Sequence, residues 1–397
     1  MRRILLFLML LCTPVSANAA ENEIKIGLSM GSQYNNNVGN VSTGKKRDAF
    51  SFDFGPTIAF DSSATVYELS AKYLPRVRIF TRDSNRDVVD VSHELNLRSE
   101  YRPNERWTLG LSDAFHVQED ADRDTNEGIQ IDLDGSGDKQ TLRNALRANV
   151  RYGATPRMSL FANGGYTIVR REDKDLSDSQ NFSGSFRGNY AGGAKDSFGA
   201  GVAAQHQRLI IDNKNETEKS SNDYYGFFLT WDHRFTPLTG VSASGGPTWV
   251  VSEREGDRRI NLEYFARVNV FTEYDKGSAS ISYQRSNSEF ANTSTAYFIA
   301  IVGVKADWKA SRKMVLAIKG GWNRRIAIRK FENSSFTFSN KVIQWRAAAS
   351  ATYQLTRELT GVFSVDYLNQ NLSEDSGSVD RFLATIRFYY NARAYRF

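Results

Sequence analysis

The chain has very little of what marks disulfide-rich, metal-binding or helical membrane proteins. Of its 397 residues one is cysteine, four are histidine and seven are proline. No run of 18 or more apolar residues follows residue 20, and this excludes a transmembrane helix beyond that point. The mean hydropathy of −0.48 is typical of soluble proteins. A strand needs only every second residue to be apolar in order to cross a membrane, so this value does not exclude membrane-spanning strands.

The first residues have the composition of an export signal. Arg2 and Arg3 precede an apolar stretch at residues 4–11, and small residues at 17–19 form a cleavage site. We predict a signal peptide at residues 1–19 and a single domain at residues 20–397. Cys12 lies in the predicted signal and follows a leucine too bulky for a lipoprotein signal. The mature chain is therefore expected to have no cysteine, and its stability must come from a source other than disulfides.

One segment shows the pattern that repeats along the chain. Phe50, Phe52 and Phe54 alternate with Ser51 and Asp53, and successive side chains of a strand point to opposite faces. One face of this strand is apolar and the other is polar. Runs of about ten such residues, separated by turns, are the sequence signature of a transmembrane β-barrel.

Eighteen such runs are predicted between residue 22 and the last residue. Short turns such as residues 61–63 and 102–105 alternate mostly with longer polar stretches such as residues 33–47 and 75–86. We therefore predict an all-β fold, a transmembrane antiparallel β-barrel of about 18 strands with short periplasmic turns and longer extracellular loops. A soluble all-β fold is the alternative.

Aromatic residues mark the ends of many predicted strands. The chain ends on Tyr395 and Phe397, which form the aromatic C-terminal signal expected for barrel assembly. These two residues are out of phase with residues 382–390, so a β-bulge is predicted at residues 391–394. Eight further aromatic residues adjoin the short turns and form a predicted girdle at the lipid headgroups: Phe60, Tyr101, Trp107, Tyr152, Phe235, Tyr274, Trp308 and Tyr353.

If the apolar face meets lipid, the other face lines an aqueous lumen, because a barrel of this strand number is too wide for side chains to fill. In the sixth predicted strand, alternation places Arg143, Arg147 and Arg151 on the lumen side. Acidic residues also line the wall, but the balance is basic, so we expect a preference for anions. The predicted pore-lining residues are Arg98, Arg143, Arg147, Arg151, Arg234, Arg259, Arg267, Arg325, Arg346 and Arg387.

The longest predicted loop, residues 118–139, is strongly acidic. Folded into the lumen, it would constrict the channel with carboxylates opposite arginines. Left outside, it is a solvated external loop, and the sequence leaves both alternatives open. Residues 132–138 resemble the first half of a calcium loop, but the twelfth position, which needs a bidentate glutamate, is Arg143. No metal site and no cofactor are therefore predicted.

Signs of enzymatic chemistry are lacking, and the prediction is a non-enzyme. The four histidines, His93, His116, His206 and His233, lie on separate predicted strands without metal-ligand spacing, and no Gly-x-Ser-x-Gly motif occurs. A serine and a histidine brought together by neighbouring strands stay open as a hydrolase alternative. The net charge of +6 is assigned to lumen arginines rather than to nucleic-acid binding.

The opening of the predicted mature chain carries a family resemblance. Residues 34–38, with the sequence YNNNV, precede a polar loop and the aromatic strand 50–60, which contains Gly55 and Pro56. This arrangement resembles the opening of the β-barrel porins associated with exopolysaccharide or capsule systems. The resemblance continues over the mature chain as repeated strand pairs that end in an aromatic residue, and it implies a barrel rather than a particular substrate.

We therefore expect a channel-forming, porin-like barrel in the bacterial outer membrane. It would allow passive passage of small solutes, with a preference for anions or acidic saccharides. An exporter of an anionic exopolysaccharide and a structural or adhesive barrel are the alternatives. The expected partners are outer-membrane lipid and lipopolysaccharide, the barrel assembly machinery and components of polysaccharide export, with no nucleic acid.

Overall fold

The structure is a computed structural model, in which almost every described residue lies in a β-strand and none lies in a helix. Within the described part, no helix is therefore long and apolar enough to cross a membrane. The predicted signal peptide and nearly all of the acidic segment 118–139 lie outside that part. The structure describes residues 21–37, 48–81, 89–118, 140–172, 178–212, 217–254, 257–287, 297–327, 341–371 and 378–397.

Eighteen long antiparallel strands and one two-residue strand form a single closed sheet. Each strand pairs with its neighbours in sequence, and β1 pairs with β18, which closes the barrel. The predicted antiparallel barrel of about 18 strands is confirmed. The strands are β1 (Glu21–Asn35), β2 (Ala49–Ser63), β3 (Tyr67–Phe80), β4 (Val89–Asn104), β5 (Trp107–Gln118), β6 (Thr141–Thr155), β7 (Met158–Arg171), β8 (Asp178–Ala191), β9 (Asp196–Asp212), β10 (Thr217–Arg234), β11 (Thr239–Arg254), β12 (Asp257–Tyr274), β13 (Gly277–Asn287), β14 (Tyr297–Lys309), β15 (Met314–Ala327), β16 (Lys341–Gln354), β17 (Leu359–Asn371), β18 (Ser378–Asn391) and β19 (Tyr395–Arg396).

The two ends of the barrel differ in their connections. At one end, here called the turn end, two to four residues join the strands. At the other, the loop end, connections reach 22 residues, between Gln118 and Thr141. Three turns close in the same way, because a threonine hydroxyl accepts the backbone N–H three residues further on. These are Thr155 to Met158, Thr236 to Thr239 and Thr356 to Leu359, each at 3.0 Å.

Alternation gives the barrel an apolar outer face and a mainly polar inner face. On β2, Phe52 is 53% exposed, whereas the neighbouring Asp53 is only 3% exposed. The cross-strand pairing extends this division to the adjacent strands, since Phe52 lies opposite Ser32 and Ile79, and Asp53 lies opposite Gly31. A face of exposed aromatic and aliphatic side chains is what lipid requires.

The end of the chain contains the predicted bulge. Gly27 pairs with Asn391, and Ile24 pairs with Tyr395. Between these two pairs β1 has two residues and the last segment has three. One extra residue on one strand of an antiparallel pair is a β-bulge. The extra residue returns Tyr395 and Phe397 to the outer face, where they are strongly exposed. The prediction at residues 391–394 is confirmed.

Candidate functional site

All ten arginines predicted to line the pore lie on the inner face. In β6 the outward side chains include the exposed Leu146 and also Tyr152, whose ring lies 4.5 Å from that of Trp107. Arg143, Arg147 and Arg151 have the opposite orientation, as the alternation predicts. The same division of faces places the other seven inside. Their contribution to a pore remains a prediction.

Several inner arginines are neutralised by carboxylates. Arg387 on β18 donates to Asp53 on β2 at 3.0 Å, across the intervening strand β1. Gly31 makes this contact feasible, because a Cβ there would lie 3.1 Å from both the Arg387 Nε and the Asp53 Oδ1. Arg346 similarly donates to Asp366 at 2.7 Å. These pairs fix side chains on the wall and add no net charge.

Other inner arginines keep their charge. In the described ranges, no carboxylate lies within ion-pair distance of Arg147, Arg151, Arg234 or Arg267, and all four are exposed to the interior. Two of them stack on aromatic rings instead. The Arg151 guanidinium lies 5.7 Å from the centroid of Phe161, and that of Arg234 lies 4.7 Å from the centroid of Phe271. A ring holds a cation in place without cancelling its charge.

The inner face is packed toward the loop end and open toward the turn end. Polar side chains near the loop end are buried, among them Gln207 and Asn222, while the exposed arginines lie nearer the turn end. The ten predicted pore-lining arginines also differ in exposure. Arg325 is only 4% exposed, whereas the side chain of Arg98 is open to the interior. The freely charged part of the wall thus extends from the middle of the barrel, at Arg147, to the short turns.

One feature of the loop end departs from simple alternation. The ladder between β12 and β13 ends where Ala266 pairs with Arg285, although both strands continue. Beyond this point Asn287 stays paired with Phe298 of β14, and its amide donates to the side chain of Gln205 on β9. β9 and β13 are not neighbours, so this bond crosses the interior.

The end of this hairpin therefore turns into the barrel. Alternation alone assigns Phe298 to the outer face, together with the exposed Val304. Instead Phe298 is 1% exposed and packs in a buried cluster with Tyr224 and Val250 from the inner face of β10 and β11. We call residues 283–287 and 298–300 the inward tip. It narrows the lumen at the loop end.

The predicted alternatives that depend on histidine find no support in the described part. His93 is hydrogen-bonded to the Tyr73 hydroxyl, His206 to Asp223 and His233 to Asp196. None of these partners is a serine. Across the described ranges no group of three His, Cys, Asp or Glu side chains is arranged to hold a metal. The acidic loop and its calcium-like segment lie outside those ranges.

Comparison with known proteins identifies the fold and nothing narrower. No protein-family model and no curated protein matches the sequence. Among solved structures, the FrpB iron transporter from Neisseria meningitidis, apoprotein form, is 9% identical over 88% of this chain, with a TM-score of 0.53. The copper transporter OprC is 11% identical over 92% of this chain, with a TM-score of 0.51.

The chain therefore has the fold of an outer-membrane β-barrel. It spans 62% of the length of the FrpB chain and 63% of that of OprC. At these identities the likeness concerns the fold alone. The resemblance to exopolysaccharide-associated porins is not confirmed, because no family model matches.

Two kinds of residue escape reasoning from alternation. Phe161, Phe228, Phe265 and Phe271 lie half-buried on the inner face, although apolar residues are expected outside. Phe161 lies directly opposite Arg151 and Arg187, and the other three lie opposite a glycine, at Gly201, Gly246 and Gly240. A phenylalanine opposite an arginine or a glycine on the paired strand is the signal that could reveal them. Conversely, Asp113 lies on the outer face of β5, where it accepts a hydrogen bond of 2.8 Å from Asn144.

Proposed function

We propose that this protein is a channel of the bacterial outer membrane for passive passage of small solutes, with a preference for anions or acidic saccharides. The supporting observation is a closed barrel whose inner wall carries Arg147, Arg151, Arg234 and Arg267 without carboxylate partners among the described residues. Fixed positive charge on the wall of an aqueous lumen raises the local concentration of anions.

The proposed partners follow from the same geometry. The exposed apolar band would contact the lipid and lipopolysaccharide of the outer membrane. The outward Tyr395 and Phe397 would present an aromatic signal to the barrel assembly machinery. Export of an anionic exopolysaccharide uses the same wall chemistry, but no observation favours it over passage of small solutes.

A structural or adhesive barrel is the second candidate. The inward tip favours it, because the packing of Phe298 against Tyr224 and Val250 occupies part of the interior at the loop end. A barrel blocked there conducts no current. Conductance therefore separates the two functions.

Reversal potential in planar bilayers tests the proposal. Under a salt gradient at low ionic strength, the wild type is expected to prefer anions, and replacing Arg143, Arg147 and Arg151 together with Gln should weaken or reverse the preference. The matched control is the double variant Arg346→Gln/Asp366→Asn, since it removes an ion pair without changing the net charge of the wall. At 1 M salt, where the Debye length is about 3 Å, the difference should nearly vanish.

Two results would contradict the proposal. A wild type that conducts nothing removes the channel and leaves the structural barrel. A triple variant with an unchanged reversal potential, in a properly folded protein, shows that these arginines do not set ion preference.

A further inference from the structure

A row of arginine and phenylalanine side chains crosses the inner wall from β6 to β12. We call it the arginine–phenylalanine arc. Arg151 on β6 pairs with Phe161 on β7, and Phe161 pairs with Arg187 on β8. The guanidinium of Arg187 lies 4.7 Å from the Phe161 centroid. The ring of Phe161 on β7 thus lies between two guanidinium groups, one from each flanking strand.

The row continues across β9 because a glycine lies in its path. Arg187 pairs with Gly201, and Gly201 pairs with Phe228 on β10. A Cβ at Gly201 would lie 2.6 Å from Cζ of Phe228, so the ring lies directly over the β9 backbone, beside Arg187. Phe265 on β12 extends the row, with its ring centroid 5.8 Å from that of Phe228 in an edge-to-face arrangement.

The arc combines two properties that are usually separate. In the described part, Arg151 and Arg187 have no carboxylate within ion-pair distance, unlike Arg346 and Arg387 on the opposite wall. Beside them, half-buried phenylalanine rings face the interior. Apolar rings on a wall otherwise built for water indicate a binding surface. A ligand that fits both properties has an anionic group and an apolar ring face.

We propose that the arc is a binding site for ring-bearing carboxylates. Arg187 would hold the carboxylate, since guanidinium groups bind carboxylates through paired hydrogen bonds, and Arg151 would add a second positive charge. Phe228, with Phe265 behind it, would pack against the face of the ring. Sugar acids and aromatic acids share this chemistry. The inference rests on the proposed channel, because it identifies the class of solute that the channel would pass.

Calorimetry on the detergent-solubilised barrel tests the site without relying on conductance. The probes are trigalacturonate and benzoate as ring-bearing acids, maltotriose as a neutral sugar and acetate as an acid without a ring. The wild type is expected to bind at least one ring-bearing acid. Binding of trigalacturonate would identify sugar acids as the ligand class, and binding of benzoate would identify aromatic acids. Maltotriose and acetate should bind far more weakly.

Two variants and two matched controls locate the binding. Arg187→Gln should weaken binding about tenfold, because a charge-assisted contact is lost. Phe228→Leu should weaken it about threefold, because aromatic packing is lost. Arg312→Gln, in the turn between β14 and β15, and Phe271→Leu change the same residue types outside the arc and should bind as the wild type does. Slower migration after boiling than before, on a gel, verifies that each variant is folded.

Three results would overturn the inference. They are absence of binding by both ring-bearing acids, acetate binding as tightly as these acids, and Arg187→Gln behaving like Arg312→Gln. If the protein conducts salt but binds neither ring-bearing acid, the proposed binding site is wrong and the proposed channel is unaffected. If the protein binds a ring-bearing acid but does not conduct salt, the proposed binding site is supported and the proposed channel is wrong.

Discussion

The inward tip gives the sharpest prediction for a single substitution. Replacing Phe298 with Ala removes a side chain that is 1% exposed and packed against Tyr224 and Val250. Phe→Ala in a packed core costs about 3 kcal/mol or more. The backbone of Phe298 remains paired with β13 and β15, so most of this cost should fall on docking of the tip rather than on the barrel.

A loss of about 3 kcal/mol shifts the equilibrium between a docked and an undocked tip by about 100-fold. Phe298→Ala should therefore increase the single-channel conductance and its current noise. Leu368→Ala is the control, because Leu368 is equally buried on the inner face of β17 but is not part of the tip.

A covalent bridge provides the converse experiment. The side chains of Gln205 and Asn287 are hydrogen-bonded across the interior, and the predicted mature chain has no cysteine of its own. The variant Gln205→Cys/Asn287→Cys should conduct less after a short bis-maleimide links the two thiols than before. Equal currents before and after cross-linking, together with wild-type conductance and noise for Phe298→Ala, would refute the reasoning that the tip narrows the lumen.

Three further predictions concern the barrel itself. Asp53→Asn should lower the free energy of unfolding in detergent by about 3 kcal/mol, because it leaves the half-buried Arg387 without its charged partner; Asp61→Asn, which breaks an exposed pair with Lys25, should cost less than about 1 kcal/mol, and an equal loss for both would contradict this account. Deletion of Phe397 should leave export across the inner membrane intact but lower the amount of assembled barrel in the outer membrane, as measured by fractionation and immunoblotting, and a normal yield would show that the C-terminal signal is misassigned. The folded protein should give a β-type circular dichroism spectrum and migrate faster unheated than boiled, since a closed sheet resists detergent unfolding; a helical spectrum would be incompatible with the barrel.

Most of the fold could be predicted because the barrel obeys a local rule. Every strand that separates lipid from water must alternate, and short turns carry threonine, proline and glycine, so the strand count and the register of β6 follow from single segments. Even the bulge before Tyr395 shows as a change of phase. Boundaries are less exact: the eighth strand, predicted at residues 181–190, spans Asp178–Ala191.

The inward tip could not be predicted, because its cause is not local. Phe298 continues the outer-face pattern of β14, and only the end of the β12–β13 ladder turns it inward. Which arginines are neutralised is also a property of the assembled sheet. Arg387 and Asp53 are 334 residues apart in sequence and meet because β18 and β2 flank β1.

The current carried by the unmodified protein in a planar bilayer under a potassium chloride gradient is the most direct test of an aqueous, anion-preferring lumen. We expect discrete channel openings and a reversal potential displaced toward that of chloride. Absence of openings, or a reversal potential displaced toward that of potassium, would contradict an aqueous lumen controlled by unpaired arginines.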